Sequence, residues 1–224
     1  MTTFPIGTRS DGSTVAWDPS QHPNLIIADC GTEDDPQYRP SAHAIAATAL
    51  VEGWKVDMIS APPAAPGQPE PAWRPIRDVL HSLRDDLELR TTLAADRRAA
   101  AAPCTPILLV ITDYQRVIAT LRHGEQATPA AAEHDLDRIV ANGRDVGVHV
   151  VLAGHVMDFC PRLMSASMRD QFQSRYLLRC RPAHPAIAQL IDAQQQPGAV
   201  TRNVLRLGDT THLLQDAGVL GVLS

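Results

Sequence analysis

Apolar residues fall into short dense runs separated by longer stretches of mixed character, and the two kinds alternate along the chain. Thr14 to Trp17 reads as a short strand, followed by the turn DPSQHPN and a second strand, LIIADC. The segment Ser41 to Glu52 predicts a helix, with Ser41 as its N-cap and Gly53 closing it. KVDMIS (55–60) is β-rich and reads as the second core strand, whereas the Pro-rich stretch at about 61–73 reads as an exposed loop. From Arg74 to about Ala101, Ile76, Val79, Leu80, Leu83 and Leu87 recur at helical spacing, and the opposite face is charged.

PILLVIT (106–112) is the most apolar stretch of the chain and fits a strand buried on both faces. EHDLDRIVANGRDVG predicts a further helix, VHVVLAG (148–154) and RYLLRCR (175–181) further strands. AHPAIAQLIDA (183–193) reads as helical, and NVLRL with HLLQD as a terminal hairpin. Helices alternating with strands that are apolar throughout predict an α/β fold with a mostly parallel sheet. No repeat or domain-sized linker interrupts it, so residues 1–224 are expected to form a single domain.

Composition narrows the functional classes. A net charge of −5 argues against strong DNA binding, which rests on phosphate neutralisation. Cys30, Cys104, Cys160 and Cys180 are scattered without a C-x-x-C pair, so neither a zinc site nor a disulfide framework is expected. The His residues form no H-E-x-x-H pattern, and Ser165 and Ser167 lie outside any nucleophile elbow. No metal site is expected. The N-terminus lacks a signal pattern and no apolar run approaches ~18 residues, which predicts a cytoplasmic protein without direct membrane insertion.

The order of motifs resembles the motor domain of FtsK/SpoIIIE DNA translocases and the related type VII secretion motor ATPases. PIGTRSDG and VAWD resemble that family's opening, and HPNLIIAD its first nucleotide-associated strand. VLHSLRDDLELR resembles its acidic-and-arginine helix, and ILLVITDY its Walker B strand. NGRDVGVHVVLAGH is the most specific match, and SRYLLRCR resembles the strand after it. The likeness runs over nearly the whole chain. It implies a P-loop NTPase (RecA-like) three-layer fold, with helices on both faces of the sheet and a ligand crevice at the carboxyl ends of the strands.

Against that pattern the first turn is anomalous. A phosphate loop needs G-x-x-x-x-G-K-[ST]: glycines to bring amides to the phosphate, a lysine for charge, a hydroxyl for Mg²⁺. Here the corresponding residues are Asp29, Cys30, Gly31, Thr32, Glu33, Asp34, Asp35 and Pro36. Asp29 stands at the first glycine, Asp34 at the second, Asp35 at the lysine, and Pro36 has no amide to donate. Opposite charges ~4 Å apart attract by about 4 kcal/mol at an effective dielectric near 20, so a carboxylate in place of lysine swings the energy by up to roughly 8 kcal/mol. A quarter of that swing removes more than a decade of affinity. Tight ATP binding in the usual pose is not expected.

Other positions implied by the resemblance depart too. Thr112 replaces the metal-associated Walker B carboxylate and Asp113 stands at the second acid, where it either acts catalytically or merely caps the next helix. Gly154 and His155 replace a Thr-Gln sensor. Arg175 and Arg179 match the family's strand arginines, whereas the subunit-bridging arginine has no counterpart in AHPAIAQLIDA. The acidic turn is expected either to be a solvated remnant or to hold a cation, such as an arginine from a neighbouring subunit.

Two functions remain open at this point. One is a non-hydrolysing pseudo-ATPase that scaffolds or regulates a secretion or DNA-transfer motor, with intact motor subunits, a secreted substrate or copies of itself as partners. It needs no cofactor, and motor recruitment would bring it to the inner face of the membrane. The other is a divergent active translocase or secretion motor using ATP and Mg²⁺, with Asp113 as its acid.

Overall fold

The computed structural model describes residues 2–32, 34–60, 73–96, 104–124, 130–180, 190 and 202–214. The chain opens with an antiparallel hairpin, β1 (Phe4–Thr8) and β2 (Thr14–Trp17). β3 (Asn24–Asp29) leads into α1 (Tyr38–Val51), which returns to β4 (Lys55–Ser60). Next come α2 (Trp73–Asp96), β5 (Ile107–Thr112), α3 (Tyr114–Gly124), α4 (Ala130–Asn142) and β6 (Val148–His155). A 3₁₀ turn, Val156–Phe159, and the short α5 (Ala166–Asp170) connect to β7 (Ser174–Cys180). β8 (Arg202–Leu207) and β9 (Thr210–Leu214) form the expected terminal hairpin.

Seven strands form one sheet in the order β4-β5-β6-β3-β7-β8-β9. The first five run parallel, and β8 and β9 add antiparallel at one end. All residues of β3 and β5 are buried, as a doubly covered parallel sheet demands. Strand periodicity divides their side chains between two cores. Ile26, Leu109, Ile111, Val150 and Leu152 face α2, α3 and α4, meeting Leu80, Leu83, Ile118 and Ile139. Leu25, Ile27, Leu108, Val110 and Val151 face α1 and the β1–β2 hairpin, meeting Ile45, Ala46, Phe4 and Trp17. The result is the expected three-layer α/β arrangement.

Two expectations need correction. β4 is an edge strand among the described residues, half exposed, rather than a second core strand. Its alternating polar residues, Lys55 and Asp57, suit an edge and form an ion pair there at 3.5 Å. Helix α1 starts at Tyr38, not after Ser41, whose hydroxyl instead donates to the Gln37 carbonyl at 3.3 Å. Pro40 in the first turn explains the error: it resembles a breaker, yet a first-turn residue has no intrahelical N–H bond to lose. Gly53 does close the helix, in a left-handed conformation at φ 80°. Residues 61–72 of the Pro-rich stretch, 97–101 of the long helix and nearly all of 183–193 lie outside the described residues, whereas Trp73 opens α2.

The strand order creates the crevice. From β3 the chain crosses to α1 on one face, whereas from β6 it turns to α5 on the other. β3 and β6 are hydrogen-bonded neighbours, so their carboxyl ends flank a point where successive connections diverge. Open α/β sheets bind ligands at such points.

Candidate functional site

A cavity of about 310 Å³ sits at that divergence, lined by Asp29, Tyr38, Asp113, Arg116, His155 and Asp158 among others. β3, β5 and β6 each end in it, so the sheet brings Asp29, Asp113 and His155 together from distant parts of the chain.

The turn after β3 is organised around Asp29. Its side chain is only 2% exposed, and its two oxygens accept four hydrogen bonds. Oδ1 accepts from the Gly31 amide at 2.8 Å and from Arg179 Nε at 2.9 Å. Oδ2 accepts from the Gln37 amide at 2.8 Å and from Arg179 Nη2 at 2.6 Å. The pairing with Arg179 is bidentate, the strongest geometry a guanidinium and a carboxylate adopt. Gln37 is the N-cap of α1, so the carboxylate lies at the positive end of a helix. Backbone amides, a helix N-terminus and a cation are what a phosphate loop offers its ligand. Here the anion they hold is a side chain of the protein.

Arg179 reaches this position because β7 is irregular. The pairing with β8 shifts register between Leu177 and Cys180, and Arg179 adopts φ 52°, rare for a side chain of its size. Asn203 Oδ1 steadies it by accepting the Arg179 amide at 2.9 Å. The guanidinium also donates to the Asp35 carbonyl at 2.6 Å and pairs with the Asp35 carboxylate at 3.3 Å. It lies so close over Gly31 that a Cβ there would stand 2.1 Å from its Cζ, so a larger residue would make the guanidinium shift. Its carboxylate partners raise the guanidinium pKa, Asp29 most of all. Among the described residues, Arg179 of the same chain is the cation paired with Asp29 and Asp35.

The remaining loop positions divide sharply. Thr32 lines the cavity, Asp34 is exposed, and Pro36 is half-buried, while Glu33 lies outside the described residues. Cys30 is half-buried and lies beside Cys180. Arg175 bends away, donating to the carbonyls of Phe172, Leu190 and Arg169, and so braces the approach to β7.

Asp113 forms a second centre. Thr112, where a Walker B acid would stand, is buried at the end of β5. Asp113 follows it in a left-handed conformation at φ 56°, which Asp tolerates better than most residues. Oδ1 accepts from Tyr38 Oη and Arg39 Nη2, both at 2.6 Å. Oδ2 is buried with no partner. The side chain therefore does not cap α3, as one expectation had it. Burial works to raise the Asp113 pKa, but the hydrogen bonds from Arg39 and Tyr38 prevail and hold it below the usual carboxylate range. Burial first, then the Asp113 carboxylate, drives the Tyr38 phenol well above its ordinary value.

Sequence reasoning missed a third acid. Asp158 is 5% exposed in the 3₁₀ turn after β6, where Oδ2 accepts the His155 amide at 2.9 Å. Burial pushes its pKa up to about 6, with the His155 amide opposing. Gly154 makes room for it, since a Cβ there would stand 2.3 Å from Asp158 Oδ2. His155 spans the cavity, its Nε2–H donating to the Gly31 carbonyl at 3.0 Å while Nδ1 accepts from the Met157 amide at 3.4 Å. The Gly-His pair thus has a structural account: glycine admits the acid and histidine props the turn. The only advance signal was the spacing His155-x-x-Asp158, a capping-box pattern. Arg116, also missed, is exposed on α3 within electrostatic reach of Asp113.

Comparison with solved structures places this architecture. The chain superposes on the pCW3 conjugation coupling protein TcpA, in monomer form with ATPγS, at TM-score 0.72 and 13% identity, over 95% of this chain and 65% of that one. The cytoplasmic domain of EssC aligns at TM-score 0.65 and 14% identity, over 95% of this chain and 43% of that one. That of the Thermomonospora curvata type VII secretion ATPase EccC gives 0.62 and 14%, over 99% of this chain and 29% of that one. This is the fold of the FtsK/SpoIIIE-type motor ATPases. The chain spans less than two thirds of each of these three proteins. No protein-family model and no curated protein sequence matches it. Among the described residues no group of acids, His and Cys is arranged to hold a metal ion, and no helix is long and apolar enough to cross a membrane.

Proposed function

We propose that this chain is a catalytically degenerate motor domain, acting as a scaffold or regulatory subunit of a secretion or DNA-transfer machine. One observation carries the reading: the donors that a motor of this fold would offer to phosphate already hold the Asp29 carboxylate. An incoming phosphate would have to displace a buried, four-bonded anion and then face Asp35 as well. Breaking one partner out of such a pair costs about 3–5 kcal/mol, which is roughly two to three and a half decades of affinity. The Asp113 carboxylate, engaged by Tyr38 and Arg39, is likewise not presented to a metal-bound water.

The partners that suit this reading are intact motor subunits of the same fold, a secreted substrate, or further copies of the chain. FtsK/SpoIIIE-like type VII motors carry tandem domains with degenerate nucleotide sites, and one solved EccC fragment of this fold is in complex with a signal sequence peptide. We place it in the cytoplasm, recruited to the membrane by its partners. No cofactor is required.

A divergent active motor is the second reading, favoured by the open cavity with Asp113, Asp158 and Arg116 at its wall and by the ATPγS complex of TcpA. Calorimetric titration with ATP and Mg²⁺ separates the two. Silence to millimolar nucleotide is expected; saturable binding in the low micromolar range would overturn the degenerate reading. Titration with DNA at low and moderate salt is expected to show no strong binding at either.

A further inference from the structure

Cys30 and Cys180 have no part in the proposed function, yet the fold brings them together. Their Sγ atoms lie 3.8 Å apart across 150 residues of sequence. Strand geometry alone would not do this. In a regular strand residues two apart share a face, so Cys180 would sit with Leu178. Leu178 packs on the α1 side of the sheet, whereas Cys180 packs with Leu177 in the core on the other side. The left-handed Arg179 and its bulge invert the alternation by one residue. That same core receives Cys30, whose amide donates to the Leu178 carbonyl at 3.0 Å. The irregularity that aims Arg179 at Asp29 therefore also aims Cys180 at Cys30.

We propose that Cys30 and Cys180 are a reversible oxidation site, forming a disulfide that ties the turn after β3 to the end of β7. Cys30 is half-buried and is the thiol an oxidant reaches; Cys180 is fully buried and resolves. With hydrogen peroxide, the Cys30 thiol gives up its proton and its sulfur attacks the O–O bond, giving a sulfenic acid and a hydroxide that takes that proton to become water. The Cys180 sulfur then attacks the Cys30 sulfur, the S–O bond breaks, and the hydroxide takes up the thiol proton as a second water. Two thiols are oxidised and one peroxide is reduced. The Cys180 thiol is pushed far above its ordinary pKa by its hydrogen bond with Cys30 and by burial, so the second step is expected to accelerate with pH. Closure would fix by a covalent bond the same two segments that the Asp29–Arg179 pair holds by charge, making the turn independent of that pair.

The test uses a Cys104→Ser/Cys160→Ser protein, which removes the exposed and half-buried thiols elsewhere. Peroxide treatment is expected to consume both remaining thiols together and lower the monomer mass by two hydrogens. A peptide containing both cysteines should appear on non-reducing digestion and vanish with dithiothreitol. The melting temperature should rise by about 5 °C or more, and Cys30→Ser should abolish the rise. Adding Arg179→Ala should lower the melting temperature of the reduced protein, and oxidation should restore most of the loss. Oxygen added at Cys30 without the linked peptide, or disulfides formed only between molecules, would overturn the proposal. The linked peptide sought in the unsubstituted protein gives the same answer if the double variant does not fold.

Discussion

Two buried carboxylates flank the same cavity and live under opposite conditions. Asp29 has both oxygens filled by four donors, and its chief partner makes further contacts that fix its own position. Asp113 has one oxygen doubly engaged and the other buried without a partner, on a backbone in the left-handed region. The first site is closed and self-sufficient. The second retains unused hydrogen-bonding capacity, which ordinarily costs about 1–3 kcal/mol in a protein interior. The contrast teaches that the two halves of this crevice are satisfied differently: the donors after β3 are filled by a side chain, whereas Asp113 is buried with one oxygen unpartnered.

Asp29→Ala should have the largest effect of any change in the crevice. It strands the Arg179 guanidinium and two backbone amides, and urea unfolding should report a loss of about 3–5 kcal/mol. A loss under 1 kcal/mol would show the first site is not closed at all. Next is the missed acid. Asp158 has a folded pKa raised to about 6, so the native state holds a proton that the unfolded chain releases near pH 4. Stability attributable to it is therefore greatest below pH 4 and falls as pH rises through about 6, by up to roughly 3 kcal/mol. Asp158→Asn should flatten that slope and leave the protein at least as stable at pH 7.

Tyr38→Phe deletes one of the two donors to Asp113 and should cost about 2 kcal/mol, less if water enters to reach the carboxylate. The Asp113 pKa, held down in the native state, should then rise, shifting acid unfolding to higher pH. Smallest is Asp34→Lys. Asp34 is exposed and should tolerate reversal within about 0.5 kcal/mol, so any failure of a partner complex in this variant would trace to docking and not to folding.

Most of the architecture was legible because it follows from runs and periods. The strands at 107–112 and 148–155 announce themselves by unbroken apolar sequence, and α2 by Ile76, Leu80, Leu83 and Leu87. α3 was left unassigned because its buried positions, Val117, Ile118 and Leu121, are few and follow directly on an apolar strand. The position of the site was legible from the turns after β3, β5 and β6, but its wiring was not. Arg179 was marked only as a strand arginine, since no pattern foretells a left-handed residue that redirects it. Tyr38 and Arg39 were invisible as partners of Asp113 because they lie about 75 residues away and become neighbours only when α1 starts early. Electrostatic reasoning from the acidic turn found the need for a cation, and Arg179 of the same chain supplies one to Asp29 and Asp35.

The close seating of Arg179 over Gly31 carries a consequence for descent. A chain losing either member of the Asp29–Arg179 couple leaves the other marooned, and any side chain at position 31 collides with the guanidinium. Asp29 and Arg179 are therefore expected to change together, and loss of the couple would free position 31 to vary. A lysine introduced at position 35 alone would bring a second cation against Arg179.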